Sequence, residues 1–543
     1  MKLRSKIFTV MSSITVFLAV MCISGFCYCT NINFGKGATV DGSVINIGAQ
    51  EGWCNPNIKV VPGQTFEKGA MAPVYMNKFY EGAPLSGETP VIKVGEIPQV
   101  EKTYTYFHSA FPFMNEHQVF ISDELLWGRP ELENPNGIMD TDQLMVFALQ
   151  RAKTAREAIM VAGKLAEEYG YSSNYGGPEA WSVTDPNEAW WFEIFGGGAD
   201  WYPGCGRPGA VWVAQRVPDD HVSFNVNRSR IGEINLEDKD NFMGSPNVYT
   251  LAEEMGWWDP KSGEPFIWYE VYADGRSLIG SNPDPEIELR EWRIVSLVAP
   301  SMNPDPTQKR WPFSIKPDKK LSVQDIMAIQ KDYYEGTEFD LTKGPLAGPW
   351  GSPDRFAMEA VHRPLSHWST TYHLLTQARS WLPDPIGGLM WFGWDKAATS
   401  VQMPIYCGIT ELPASFDNQS RDVFQRDSAF WAFNFVSNWA NLNYKYMLRD
   451  IVEAREYLMN DMFAFQPAIE AIALELYEKN PDLARRFLTD YSVNTANKVV
   501  DYWWGLADRL IAKYVDGSAV GEPSPVYPDS WQEAEKEFRE GKK

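Results

Sequence analysis

The sequence predicts an α+β fold with a helical C-terminal extension. Three patterns predict it. Short apolar–polar alternations bounded by Gly, Asp and Pro recur up to Asn227, as strands and turns do. Two segments between Leu144 and Gly170 carry helical spacing and a helix-start signal. From about Phe424 onward the apolar spacing becomes helical, as at Ile469, Ile472, Ala473 and Leu476 and again at Val499, Trp503, Leu506 and Leu510.

The elements follow in order. Ile32 and Phe34 alternate with polar residues and predict a half-buried strand. Gly35, Gly37 and Asp41-Gly42 form the turn, and Val44 to Ile47 return, so Cys29 opens a β-hairpin. Lys59 to Val61, Val91 to Val94 and Lys102 to Phe107 read as strands. Asn115-Glu116-His117 turns the chain into Val119-Phe120-Ile121. Leu144 to Arg151 is a helix; a second starts at Thr154, with Glu157 as its capping-box partner, and stops at Gly170. Trp181 to Thr184 and Ala189 to Ile194 bracket the polar turn Asp185-Pro186-Asn187-Glu188. Ala210 to Gln215 and Val222 to Asn227 predict another strand pair. Residues 256–325, rich in Pro, Asp and Trp, read as an irregular excursion. The predicted organisation is a leader over 1–28, a core over 29–423 and a helical extension over 424–543 that packs on the core.

Composition excludes several classes. Aromatic residues are 14% of the 543, too many for a disordered chain. A net charge of −22 repels phosphate backbones, so no nucleic-acid partner is expected. Lys2, Arg4 and Lys6 precede a stretch without charge from Ile7 to Gly35. That order matches a secretory leader and predicts export to a periplasm or the medium. A membrane contact would come only through an uncleaved leader acting as an anchor. Cys54, Cys205 and Cys407 are scattered, and a disulfide among them stays open after export.

Exclusion narrows the chemistry. No nucleophile elbow, zinc helix or phosphate loop is present. His362, His367 and His373 are spaced by five and six, which fits no helical metal face, and hydrogen-bonded or solvated histidines are expected there. No cofactor or metal is predicted. Cys29 lies where a removable segment meets a hairpin. If the bond before it is cleaved, one residue carries both a thiol and an α-amino group of pKa about 7.7–8.0, which can take the thiol proton. The plain alternative is a leader cysteine with no role.

The run Cys29-Thr30 … Gly35-Lys36-x-Ala38-x-x-Asp41-Gly42-Ser43 resembles the start of the C69 family of dipeptidases. These are N-terminal-nucleophile (Ntn) hydrolases related to penicillin V acylase, bile salt hydrolase and secernin. Asn115-Glu116-His117, Asp185-Pro186-Asn187-Glu188, Asn227-Arg228-Ser229-Arg230 and Leu382-Pro383 … Gly387-Gly388 are similar to further family blocks, in order. The resemblance implies a four-layer αββα sandwich, a propeptide removed to free Cys29, and hydrolysis of dipeptides or small peptides. Asn227 corresponds to the family's strand-borne Asn that faces the oxyanion. Relatives usually carry an Arg or His and then an Asp after the hairpin. Here those positions are Gly48 and Glu51, and Glu51 is the carboxylate that would orient the α-ammonium group. Two rival functions stand beside the dipeptidase: an amidase or acylase of the same fold, and a catalytically silent binding protein. A homo-oligomer stays open.

Overall fold

The computed structural model describes residues 29–52, 54–77, 91–172, 177–275, 287–355, 362–421, 423–515, 518–521 and 526–542. The predicted leader, 1–28, lies outside the described residues.

The chain begins with β1 (Thr30–Phe34), β2 (Val44–Glu51), β3 (Lys59–Val61), β4 (Met71–Asn77) and β5 (Val91–Pro98). Next come β6 (Tyr106–His108), β7 (Pro112–Asn115) and β8 (Phe120–Leu125), then helices α1 (Thr141–Arg151) and α2 (Ala155–Tyr169). Strands β9 (Glu179–Thr184), β10 (Ala189–Gly196), β11 (Ala210–Val217), β12 (Val222–Asn225) and β13 (Phe242–Gly244) follow. Four helices come after them: α3 (Val248–Glu254), α4 (Trp268–Ala273), α5 (Leu289–Val298) and α6 (Val323–Gln330). The last strands are β14 (Thr370–Ala378), β15 (Leu389–Trp394) and β16 (Met403–Tyr406), with the short α7 (Asp384–Gly387) between the first two. The C-terminal helices are α8 (Ala429–Ala440), α9 (Tyr444–Lys479), α10 (Pro481–Lys513) and α11 (Asp529–Arg539).

Two antiparallel sheets organise these strands. The first runs β12-β1-β2-β14-β15-β16 and the second β13-β11-β10-β9-β8-β7-β6-β3, while β4 and β5 pair apart. β1 and β2 lie against β8, β9 and β10. Helices α1 and α2 cover the second sheet through Leu144, Phe147 and Ile159, which pack with Trp181, Phe192 and Trp212. Helix α5 contacts β12, α8 contacts β15 and α10 contacts β16 on the first sheet.

Local signals explain the helix ends. Asp140 caps α1 by accepting from the Gln143 N–H at 2.9 Å, which starts the helix three residues before the predicted Leu144. Thr154 caps α2 from the Glu157 N–H at 3.2 Å, and Gly170 ends it with φ 78°. The return leg of the predicted capping box differs, because the Glu157 carboxylate takes the Lys153 N–H at 2.7 Å instead. Asn480 ends α9 and caps α10, with Pro481 at the first helical position.

Three expectations change. β1 is buried on both faces, not half-buried, because its polar face looks into the space between the sheets. Asn33 Nδ2 donates there to Trp190 O at 3.3 Å, and Asn33 Oδ1 accepts from Ser182 Oγ at 2.5 Å. The runs at 210–217 and 222–225 do not pair: β11 joins β10 and β13 in the second sheet, whereas β12 joins β1 in the first. The chain crosses between sheets at 218–221, where a Cβ on Gly35 would lie 2.3 Å from Asp219 O, so only glycine fits that approach. The excursion at 256–325 holds α4, α5 and the start of α6, and Arg290 of α5 bonds Thr30 of β1.

Candidate active site

Cys29 sits immediately before β1 and is buried. Arg290 reaches it from the first turn of α5, whose N-cap Glu288 accepts from the Arg290 backbone N–H. The Arg290 guanidinium is fully buried and makes seven side-chain contacts. Nη1 donates to Cys29 O at 3.2 Å, Thr30 Oγ1 at 3.0 Å and Asn227 Oδ1 at 3.3 Å. Nη2 donates to Val226 O at 2.8 Å, Asn227 Oδ1 at 3.2 Å and Glu288 Oε2 at 3.2 Å, and Nε to Glu288 Oε1 at 3.0 Å. Burial works against its charge, but the Glu288 pair outweighs that and pushes its pKa up. Burial in turn pushes the Glu288 carboxyl up, with Arg290 pulling against it.

Asn227 is thereby tied to the backbone of Cys29. It is buried, with φ 67°, in the turn that follows β12. Its backbone N–H donates to Glu124 Oε1 at 2.9 Å and its Nδ2 to Leu125 O at 3.0 Å. Glu124 is buried on β8, and burial pushes its carboxyl well up, while Arg290, the Asn227 N–H and the Asn31 amide hold it down.

Glu51 closes β2 and is buried, but on the other face of the strand from Gly48. It pairs with Arg363, and His367 Nδ1 lies 3.3 Å from its Oε2. His367 Nδ1 also meets Ser369 Oγ at 2.8 Å. Burial, then Arg363, Arg290 and Lys396, hold the His367 pKa well below its ordinary value, so the ring is neutral at neutral pH. His373 is likewise hydrogen-bonded, to Asp395 O at 2.8 Å. Glu51 therefore belongs to a buried cluster with Arg363 and His367 that feels the charge of Arg290.

Gly48 faces Asn31 directly across β1 and β2. A Cβ there would lie 2.6 Å from both Asn31 Oδ1 and Ser122 Oγ, so this chain has filled the space that a longer residue would need. Tyr372, opposite Gln50 on β14, is buried: its phenol is pushed up by burial, then by Asp123, Cys54 and Cys29. Cys54, Cys205 and Cys407 form no disulfide with one another. They sit at three separate places, with Sγ 3.5 Å from Glu51 O, 3.8 Å from Arg207 O and 2.8 Å from Asp384 O respectively.

The sequence reading missed Arg290, Glu124 and Arg363; it expected His367 to be hydrogen-bonded, as it is, but not its place beside Glu51. Ile294 and Val298 stand four apart and Arg290 four before Ile294, a helical spacing that could have marked α5 and put Arg290 on its inner side. For Arg363 no local signal exists.

The buried Arg290 guanidinium thus joins the backbone of Cys29 to the side chain of Asn227. The model of the family described as Peptidase family C69 matches residues 28–457, and the chain belongs to that family. The match begins at the residue before Cys29 and ends inside α9. Among similar proteins is the probable dipeptidase A of Streptococcus pyogenes serotype M1, 23% identical over 84% of this chain and 92% of that protein. The probable dipeptidase B of Lactococcus lactis subsp. lactis (strain IL1403) is 25% identical over 58% of this chain and 60% of its own length. Dipeptidase A of Lactobacillus helveticus is 22% identical over 77% and 82%.

Proposed function

We propose that this chain is an exported cysteine dipeptidase whose nucleophile is the N-terminal Cys29 of the mature protein. Membership of a peptidase family and relatives that carry the name dipeptidase support peptide hydrolysis. The observation that carries the mechanism is the Arg290 bridge from Cys29 O to Asn227 Oδ1.

The chemistry runs in two halves. Removal of residues 1–28 frees the Cys29 α-amino group. That amine takes the thiol proton as Sγ attacks the substrate carbonyl carbon. The carbonyl oxygen becomes an oxyanion, which the Asn227 amide stabilises through an Nδ2 hydrogen; such a donor is worth about 3 kcal/mol in other enzymes. The tetrahedral intermediate collapses, the peptide C–N bond breaks and the leaving amine carries off the proton. Water then attacks the thioester by the same route in reverse and releases the acid. Arg290 acts on the backbone of Cys29 and on Asn227, and Glu51 lends its carboxylate to the amine's surroundings.

The fold reading is the four-layer αββα sandwich, with α1 and α2 outside one sheet and α5, α6 and α8 to α10 outside the other. The division into a core over 29–423 and a helical extension over 424–543 belongs to the same proposal. Export rests on the order of basic and apolar residues over 1–28. No helix among the described residues is long and apolar enough to cross a membrane.

The test is the N-terminal residue of the purified secreted protein, with its turnover of a dipeptide panel. A chain that begins at Cys29, cleaves dipeptides and loses that activity on thiol alkylation and in Cys29→Ala supports the reading. A mature chain that starts elsewhere, or full activity in Cys29→Ala, defeats it.

A further inference from the structure

Asn227 is fixed in two independent ways. Its amide rotation is set by Arg290: a guanidinium only donates, so Oδ1 must face it and Nδ2 must point away. One Nδ2 hydrogen goes to Leu125 O, and the amide has a second for a ligand. Its backbone is a separate matter. A φ of 67° is left-handed, a strain for a non-glycine residue that Asn bears better than most. The backbone N–H in that turn is held by Glu124 Oε1 at 2.9 Å.

Glu124 reaches the other side of the site as well. Its Oε2 accepts from Asn31 Nδ2 at 3.5 Å, and the same Nδ2 donates to Asp123 O at 2.8 Å. Asn31 lies two residues after Cys29 on β1. One carboxylate on the second sheet thus spans from the nucleophile's strand to the turn that carries Asn227. It does so while 0% exposed, where a charge is costly and an apolar side chain would serve packing better. An oxyanion donor must sit within a few tenths of an ångström of its working place, about 2.7–3.1 Å from the oxygen. A brace between these two elements meets that need.

We propose that Glu124 is a positioning residue for the oxyanion-facing amide of Asn227. It sets the distance between the strand of Cys29 and the Asn227 turn, and it touches no reacting atom. The proposal rests on the assignment of Asn227 to the oxyanion.

The experiment is a double-mutant cycle on the mature wild type, Glu124→Ala, Asn227→Ala and the double variant, with kcat and KM for one dipeptide. Glu124→Ala should lower kcat about 10- to 100-fold, with KM changed less than about threefold, because the loss falls on the transition state. Glu124→Gln keeps an acceptor for the Asn227 N–H and should recover most of kcat. In the Asn227→Ala background the Glu124 substitution should cost nothing further. Multiplicative losses in the double variant, or a wild-type kcat in Glu124→Ala, would overturn the proposal. If Glu124→Ala does not fold, Glu124→Gln carries the same cycle, with a smaller loss that must again vanish when Asn227 is Ala. If the wild type turns over and Asn227→Ala keeps its full kcat, it is the oxyanion assignment that fails. Absence of turnover in the wild type overturns the dipeptidase reading itself and Glu124's role with it.

Discussion

Replacing Arg290 by Met should unfold much of what the site depends on. The substitution keeps an unbranched apolar stem but removes seven contacts, two of them to Glu288. Glu288 is 3% exposed, so its carboxylate would be stranded. Breaking a buried ion pair from one side costs about 3–5 kcal/mol. Glu288 can limit that by taking a proton, since burial already pushes its pKa up and Arg290 is the main group pulling it down. Cys29 O, Thr30 Oγ1, Val226 O and Asn227 Oδ1 lose a donor as well, at about 1–3 kcal/mol each where no water replaces it. These terms overlap, and a net loss of about 4 kcal/mol is expected, a large part of the usual 5–15. Arg290→Lys keeps the charge but has three hydrogens for the seven contacts, and should lose about 2 kcal/mol with kcat/KM down at least about tenfold. Adding Glu288→Gln to Arg290→Met should restore part of the stability. The assay is urea unfolding at pH 7, followed by tryptophan fluorescence, beside kcat/KM on a dipeptide. A loss under about 1 kcal/mol in Arg290→Met, or a double variant weaker than the single one, would refute the reasoning.

Gly48→Arg does not restore what relatives carry there. Even its Cβ would lie 2.6 Å from Asn31 Oδ1 and Ser122 Oγ, so a loss of more than about 3 kcal/mol and a lower kcat/KM are expected; wild-type stability with higher kcat/KM would contradict this. Glu51→Gln leaves Arg363 beside a neutral amide and should cost about 3 kcal/mol in urea unfolding together with a fall in kcat, whereas unchanged values would place Glu51 outside the working site. His373 supplies a pH dependence. Burial first, with Lys331 and Arg455, lowers its pKa to about 4, against an ordinary 6.5. Above pH 6.5 the ring is neutral in both states. As pH falls from 6.5 to 4 the unfolded chain takes up the proton and the folded one does not, so about 3 kcal/mol of stability is lost across that window. The difference in stability between wild type and His373→Gln should change by that amount over the same range, and a constant difference would remove His373 from the balance.

What could be read from the sequence was local. The hairpin after Cys29, the caps at Thr154 and Gly170, and the long C-terminal helices each depend on residues a few positions apart, and each stands in the structure. Partners across the chain were not legible. The 210–217 and 222–225 runs look like a hairpin because alternation says nothing about which neighbour a strand takes. Asn31 and Asn33 read as the open side of a half-buried strand, yet they lie in the space between two sheets and bond there. Arg290 lies 261 positions from Cys29, inside a segment whose Pro and Trp content hid the helical spacing of Arg290, Ile294 and Val298. Glu51 was found from the resemblance, but its partners Arg363 and His367 come from more than 300 residues away, where a charge has no local pattern.

The central claim is that Cys29 acts with its own α-amino group as the base. The most direct measurement compares dipeptide turnover by two purified chains, one that begins at Cys29 and one that keeps Tyr28 ahead of it. In the longer chain the amine of Cys29 is an amide nitrogen and cannot take a proton, although the thiol is unchanged. The account predicts turnover by the chain that begins at Cys29 and a loss of at least about 100-fold in the other. Equal rates from the two chains would contradict it.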